Sequence, residues 1–331
     1  RMSRVVVLIA VLLSLPLLGL FIPFFTESNG EAAQELSRQG TLQHLWQYVL
    51  GEYVTSTLLL LIGVGFGVFV LGVGNAWLVA NYQFPGKKIF EWALILPLAI
   101  PTYVMAYLFV DILQFSGPIQ TALRNVLGLE QLWFFPDPRS LGGAMWAFSF
   151  CLFPYVYLIA RTSFLDRSAR LSEAAETMGY SGFQAFCRLV LPMSRPAIFA
   201  GMALALMEVM ADYGAVAYFG VETFATGIFR AWLSFSDRLA AVQLSLGLLV
   251  FVLLIFYIEQ TNRARMRYVS SGVVQRVAPP RLLQGKKAFW AFAACSSTLA
   301  CAFLLPVAAL LKLLWEQGLS LDARYLDWLQ N

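Results

Sequence analysis

Runs of apolar residues long enough to cross a bilayer alternate with short polar segments along most of the 331 residues. A helix rises 1.5 Å per residue, so about 20 apolar residues cover a hydrocarbon core of roughly 30 Å. Stretches of that length occur at 5–25, 54–80, 92–113, 141–164, 197–220, 239–258 and 288–314. The pattern predicts an all-α, polytopic transmembrane helix bundle of about seven spans. The first stretch exceeds the apolar region of a secretory signal and no A-x-A site follows it, so it is read as a retained span.

The polar segments sort by charge. With the N-terminus in the cytoplasm, Arg1, Arg4, Lys87, Lys88, Arg161, Arg167, Arg170, Arg188 and Arg195 fall on the cytoplasmic side. So does the basic tail Arg263, Arg265, Arg267, Arg276, Arg281, Lys286 and Lys287. Opposite loops carry Glu27, Glu31, Glu35, Glu52, Glu130 and Asp137. Excess Lys and Arg on cytoplasmic loops sets orientation, so this placement is the expected one. Trp77, Tyr82, Trp92 and Trp133 fall near span ends, where amphipathic rings favour the headgroup layer.

Composition agrees with a membrane protein: 59% of residues are apolar, 13% are charged, and the mean hydropathy is +0.69. The net charge of +4 comes with no basic run interleaved with aromatics, so nucleic acid is not an expected partner. Cys151, Cys187, Cys295 and Cys301 lack C-x-x-C spacing and are read as core thiols. The single histidine, His44, has no second histidine to complete a ligand set, so no metal site is expected.

The chain turns basic after residue 262 and breaks at Ala278-Pro279-Pro280, after which a new apolar run begins. Its Leu305-Pro306 echoes Leu15-Pro16 of the first run, a weak internal repeat. Residues 1–285 are therefore expected to form one unit of six spans, and 286–331 the first span and start of a second, truncated unit of a longer duplicated chain.

One polar-containing segment, EAAETMGYSGFQAFCRLVLPMSRPAI (173–198), has helical periodicity and its own punctuation. Ser172 is a candidate helix cap for Glu173, Ala174, Ala175 and Glu176, and Gly179 a candidate left-handed terminator. A second amphipathic run, with Phe183, Phe186, Val190 and Leu191 at helical spacing, is expected to stop at Pro192. Spacing alone favours an interfacial helix pair that merely caps a bundle.

The residue types favour a narrower reading. Glu173-Ala174-Ala175, Gly179 six residues after Glu173, and Leu191-Pro192 resemble the EAA–G–LP signature of ABC-importer permease subunits. That resemblance implies a type I importer permease in a bacterial inner membrane, with 165–198 as the cytoplasmic loop that docks on a separate ATP-hydrolysing subunit. Glu173 would offer charge to the groove of that subunit, Ala174 and Ala175 close approach, and Gly179 the turn. It also implies an ABC ATPase dimer carrying ATP and Mg, a periplasmic solute-binding protein, and a second permease module in the same chain or a homologous subunit. Residues 81–88 and 207–220 resemble the ferric-iron branch, whose members commonly fuse two modules; thiamine and aminophosphonate permeases are close to it. Ferric iron is the expected solute.

Glu208 and Asp212 lie four apart on one predicted helix, with Tyr213 beside them and Asp111 nearer the end of its own span. A charge at the bilayer centre costs roughly 2.5–3.5 kcal/mol on insertion scales, so the pair is expected to face the bundle interior. There it would line an oxygen-rich path for a hard cation or brace helices through hydrogen bonds. Gly63 and Gly67 form a G-x-x-x-G suited to close helix packing. No Walker-type G-x-x-x-x-G-K-[ST] occurs, so no ATP hydrolysis or resident cofactor is expected here. The competing classes are a membrane enzyme using Glu208, Asp212 and Tyr213, disfavoured because no histidine, serine–histidine pair or metal cluster lies in the spans, and an ion-coupled transporter, which would not require the 173–192 loop.

Overall fold

The computed structural model describes residues 50–131, 135–180, 182–264 and 280–317, with 167–177, 183, 239 and 262–264 described by backbone alone. The predicted span at 5–25 and His44 lie outside the described residues. Two long helices form the spine: α1 (Leu50–Asn81) and α5 (Leu141–Thr177). They pack in parallel because small residues line their seam. A Cβ on Gly63 would strike the Met145 side chain, one on Gly67 the Ser149 side chain, and one on Gly72 would lie 2.6 Å from Val156 Cβ. Lipid tails give helices no hydrophobic reason to associate, so close backbone approach through small residues supplies the contact. Tyr157, Phe148, Phe153 and Phe164 of α5 are fully buried along this spine.

Two predicted spans are bent. The stretch predicted at 92–113 becomes α2 (Lys87–Ala93), a 3₁₀ turn (Leu96–Ala99), α3 (Thr102–Leu113) and, beyond it, α4 (Pro118–Leu127). The Lys87–Ala99 and Thr102–Leu127 segments meet at 97°. The residue before a proline is pushed out of the helical region, and Ile100, preceding Pro101, has φ −96° and ψ 121°.

The loop segment comprises α6 (Gly182–Ala185), a π-helical turn (Phe186–Val190) and α7 (Leu191–Met193), which meets α8 (Arg195–Ala211) at 63°. Beyond α8 come α9 (Gly214–Tyr218), α10 (Phe224–Phe229) and α11 (Arg238–Ala264). The described residues thus hold four straight spans, or six when each bent pair counts as one. Each of the six overlaps one of the last six predicted stretches, although the bent pair at 186–211 begins before the stretch predicted at 197–220 and stops short of its end.

The segment 281–317 returns to the first unit. Strand β2 (Arg281–Leu282) pairs in parallel with β1 (Tyr82–Gln83), Tyr82 opposite Arg281. Helix α12 (Lys286–Leu299) then lies against α1 and α2, with Asn75 Nδ2 donating to Thr298 Oγ1 at 3.2 Å in the interior and the Phe90 and Phe292 rings 5.5 Å apart. A π-helical turn (Ala300–Leu304) precedes α13 (Leu305–Gln317) and its Pro306, just as one precedes Pro192. A proline ring clashes with the carbonyl four residues back. Here those carbonyls, at Arg188 and Ala302, lie inside widened turns, so both chains stay helical through the proline.

Candidate functional site

The 165–198 loop differs from its sequence reading in two respects. No new helix starts at Ser172, because the backbone of α5 runs unbroken through 173–176 to Thr177. The favourable burial of the preceding apolar turns extends the helix past a residue that would otherwise have started a new one. Pro192 does not stop the second run; the break falls at Ser194, at φ −92° and ψ 0°. The predicted turn at Gly179 is present: φ is +73°, the residue is exposed, and an added Cβ would meet nothing. Only the left-handed backbone selects glycine there.

Aromatic stacking ties the loop to the bundle. Phe186 packs edge-on against Phe164 of α5 at 5.9 Å and tilts against Trp77 of α1 at 4.6 Å. Trp77 in turn stacks on Tyr82 at 4.8 Å with rings 5° from parallel. Leu191 and Val190 pack on the main core, while Cys187 and Arg188 face out, the Arg188 guanidinium 5.2 Å from the Tyr180 ring centre. Cys187 is therefore not the core thiol expected of it; Cys151 and Cys295 are. A Cβ on Gly182 would lie 3.3 Å from the Arg281 guanidinium and 3.7 Å from the Tyr82 hydroxyl, so the β1–β2 pair abuts the loop. Burial pushes the Tyr82 phenol up, and Arg281 beside it offsets part of that.

The four acidic and phenolic residues picked from sequence do not converge. Helix α8 ends at Ala211, and Asp212 is extended at φ −84° and ψ 107°, so Glu208 and Asp212 do not share one helical face. Asp212 is held on both oxygens. The Thr102 hydroxyl at the start of α3 donates to Oδ2, and the Ala215 N–H of α9 donates to Oδ1 at 2.8 Å. Glu208 is exposed on the surface of this unit rather than interior, and has no hydrogen bond or ion pair among the described residues. Tyr213 is also exposed, stacked on Phe229 at 4.0 Å. Asp111 accepts from Gln114 Nε2 at 3.0 Å in the last turn of α3, nine residues or about 14 Å along the helix from Thr102.

Sequence reasoning missed Thr102, Glu222 and Arg230. Tyr213 and Phe229 line a cavity of about 190 Å³ together with Glu222 and Arg230, whose side chains are ion-paired at 2.5 Å. The Glu222 hydrogen bond holds the guanidinium above its ordinary range. No local spacing marks these partners: Thr102 meets Asp212 from 110 residues away.

Among the described residues, a turned, aromatic-anchored loop thus joins the third and fourth long apolar segments of a polytopic helix bundle. The chain belongs to the family of binding-protein-dependent transport system inner membrane components, whose model matches residues 72–268. It is similar to the Fe(3+)-transport system permease protein FbpB 2 of Haemophilus influenzae, 28% identical over 243 residues, covering 72% of this chain and 43% of that protein. It is also similar to the molybdenum transport system permease protein ModB of Escherichia coli K12, 30% identical over 174 residues, covering 53% of this chain and 71% of ModB. The chain spans less than half of the iron permease's length. The fold matches a solved bacterial ABC transporter involved in import of the acidic polysaccharide alginate, with a TM-score of 0.59 at 17% identity, covering 82% of this chain and 94% of that one.

Proposed function

We propose that this chain is the membrane permease part of an ATP-driven importer, taking a solute from a periplasmic binding protein and moving it inward across the cell inner membrane. The observation that carries the reading is the loop: α5 projects to Thr177, reverses at left-handed Gly179, and returns through a segment pinned by Phe186 between α1 and α5. A loop joined to two spine helices can pass a push from a docked subunit into the bundle, which an unanchored loop could not. Glu173, Ala174, Ala175 and Gly179 would form the docking end, and Leu191-Pro192 the return. ATP and Mg would reside on a separate cytoplasmic ATPase dimer, leaving no catalytic role for this chain.

Ferric iron is the proposed solute, supported by the similarity to an iron permease over most of the chain and by the hard oxygen ligands Glu208, Asp212, Tyr213 and Asp111. Because those groups are dispersed, they would act as successive contacts and not as one binding site. The second reading, a molybdenum permease, follows from the similarity to ModB. Thiamine and aminophosphonate remain further solutes to be tested. A second permease module, in cis or as a homologous subunit, would cover the exposed Glu208.

The test is copurification of the full-length protein with its cognate ATPase, followed by uptake of radioactive iron, molybdate, thiamine and aminophosphonate by cells lacking other routes. The reading predicts a stable complex and ATP-dependent uptake of iron alone. Failure to retain an ATPase would remove the importer reading, and uptake that follows an ion gradient without ATP would replace it with a secondary transporter.

A further inference from the structure

Two short segments far apart in sequence have the same plan. At Gly86 the chain reads Gly-Lys-Lys-Ile-Phe-Glu-Trp, and at Gly285 it reads Gly-Lys-Lys-Ala-Phe-Trp. Each follows a strand, and the strands pair in parallel with Tyr82 opposite Arg281, so both glycines sit four residues beyond that pair. Each glycine has positive φ, +80° and +59°, and each carbonyl accepts the N–H four residues on, from Phe90 and from Phe289, both at 3.1 Å. A Cβ on Gly86 would touch the Phe292 ring at 3.4 Å, so the units lie side by side.

The side chains they display are of two kinds. Lys88, Lys286 and Lys287 are exposed, whereas Lys87 is buried within electrostatic reach of Glu91 and Arg161. Around them Ile89, Trp92, Phe289 and Trp290 are 64–75% exposed. At the headgroup layer, bulk acyl chains would cover the rings but leave the lysines without a counter-charge, and an inorganic anion would satisfy only the lysines. A ligand with a phosphate and an acyl chain satisfies both.

We infer that the paired Gly-Lys-Lys units form a binding surface for an anionic phospholipid of the cytoplasmic leaflet, its phosphate against Lys88, Lys286 and Lys287 and its upper chain against Trp92 and Trp290. The inference rests on the membrane placement proposed above, and on neither the solute nor the ATPase. Basic residues at such a surface attract anionic headgroups, with an effect of about five-fold in affinity for each lysine. The surface borders the loop at Gly182, through Arg281 and Tyr82, so an occupied site would brace the base of the loop.

The full-length protein in a non-ionic detergent, offered equal phosphatidylglycerol and phosphatidylcholine, provides the test, with retained lipid counted by native mass spectrometry. Preferential retention of phosphatidylglycerol is expected. K88Q/K286Q/K287Q should lower it at least ten-fold, K88R/K286R/K287R should keep it, and K312Q at the far end of α13 should not change it. If the triple glutamine variant does not fold, each single glutamine variant should show about a five-fold loss. Equal retention of both lipids overturns the inference, as does undiminished phosphatidylglycerol on the glutamine variants. Displacement by millimolar inorganic phosphate overturns it too, by making the ligand a soluble anion.

Discussion

Asp212 and Glu208 are four residues apart and carry the same charge, yet their surroundings assign them different work. Asp212 accepts from Thr102 and from the Ala215 backbone, joining α3 to the start of α9, so its first task is structural. Removing such a capping acceptor costs about 1–2 kcal/mol, so Asp212→Ala should lower the thermal midpoint of the purified protein, and Asp212→Asn should lower it less. Glu208 supports no such contact. Glu208→Gln should leave the midpoint unchanged and reduce iron uptake several-fold per folded molecule; full uptake would take Glu208 off the path. Gly179 has open space around it and a constraint only on its backbone. A β-branched residue there faces a left-handed penalty of about 1–2 kcal/mol, so Gly179→Val should impair uptake and ATPase stimulation while membrane insertion persists, and Gly179→Asn should be milder.

At the scale of elements, the α1–α5 seam shows why identical residues on one helix are not interchangeable. Gly67 meets the Ser149 side chain, while Gly74 on the same helix meets nothing within 4 Å. Gly67→Ala should therefore destabilise by about 1–3 kcal/mol, because a packed seam must shift to admit a methyl. Gly74→Ala should be neutral or stabilising by up to about 1 kcal/mol through helix propensity. Thermal unfolding of both variants in one detergent compares them directly, and equal effects would contradict the seam. The π-helical turns at Phe186–Val190 and Ala300–Leu304 belong to this scale as well. Both precede a Leu-Pro pair, and both let a span pass through proline without ending. Proline in sequence signals a break, but a helix widened by one residue per turn has room for the ring.

For the whole molecule, orientation is the property on which the loop's role depends. Cys187 provides a native probe, since it lies exposed on the loop while Cys151 and Cys295 are buried. A membrane-impermeant maleimide should modify the protein in inverted vesicles and leave it unmodified in intact spheroplasts, with Cys187→Ser abolishing the signal. Labelling from the periplasmic side would reverse the topology and remove the docking role of 173–192 together. The return of 281–317 onto α1 and α2 also operates at this scale. A segment that reads as the opening of a second unit is bound to the first through Asn75, Thr298 and the β1–β2 pair.

The sequence by itself determined the features that depend on short-range chemistry. Length and apolarity place six described spans, because the bilayer demands about 20 apolar residues whatever their neighbours. Gly179 marks its own turn, and Gly63 and Gly67 mark a close seam, since only the lack of a Cβ satisfies those positions. Tertiary structure decided everything that depends on a distant partner. It ended α8 at Ala211, where Asp212 finds Thr102, and it carried the backbone of α5 past Ser172 to Thr177. It dispersed the carboxylates, which helical spacing had placed on one face, and it set β2 beside β1, with Tyr82 opposite Arg281 at a sequence separation of 199 positions. Local periodicity contains no term for such meetings; the free energy that fixes them is gained only when the partners are brought together.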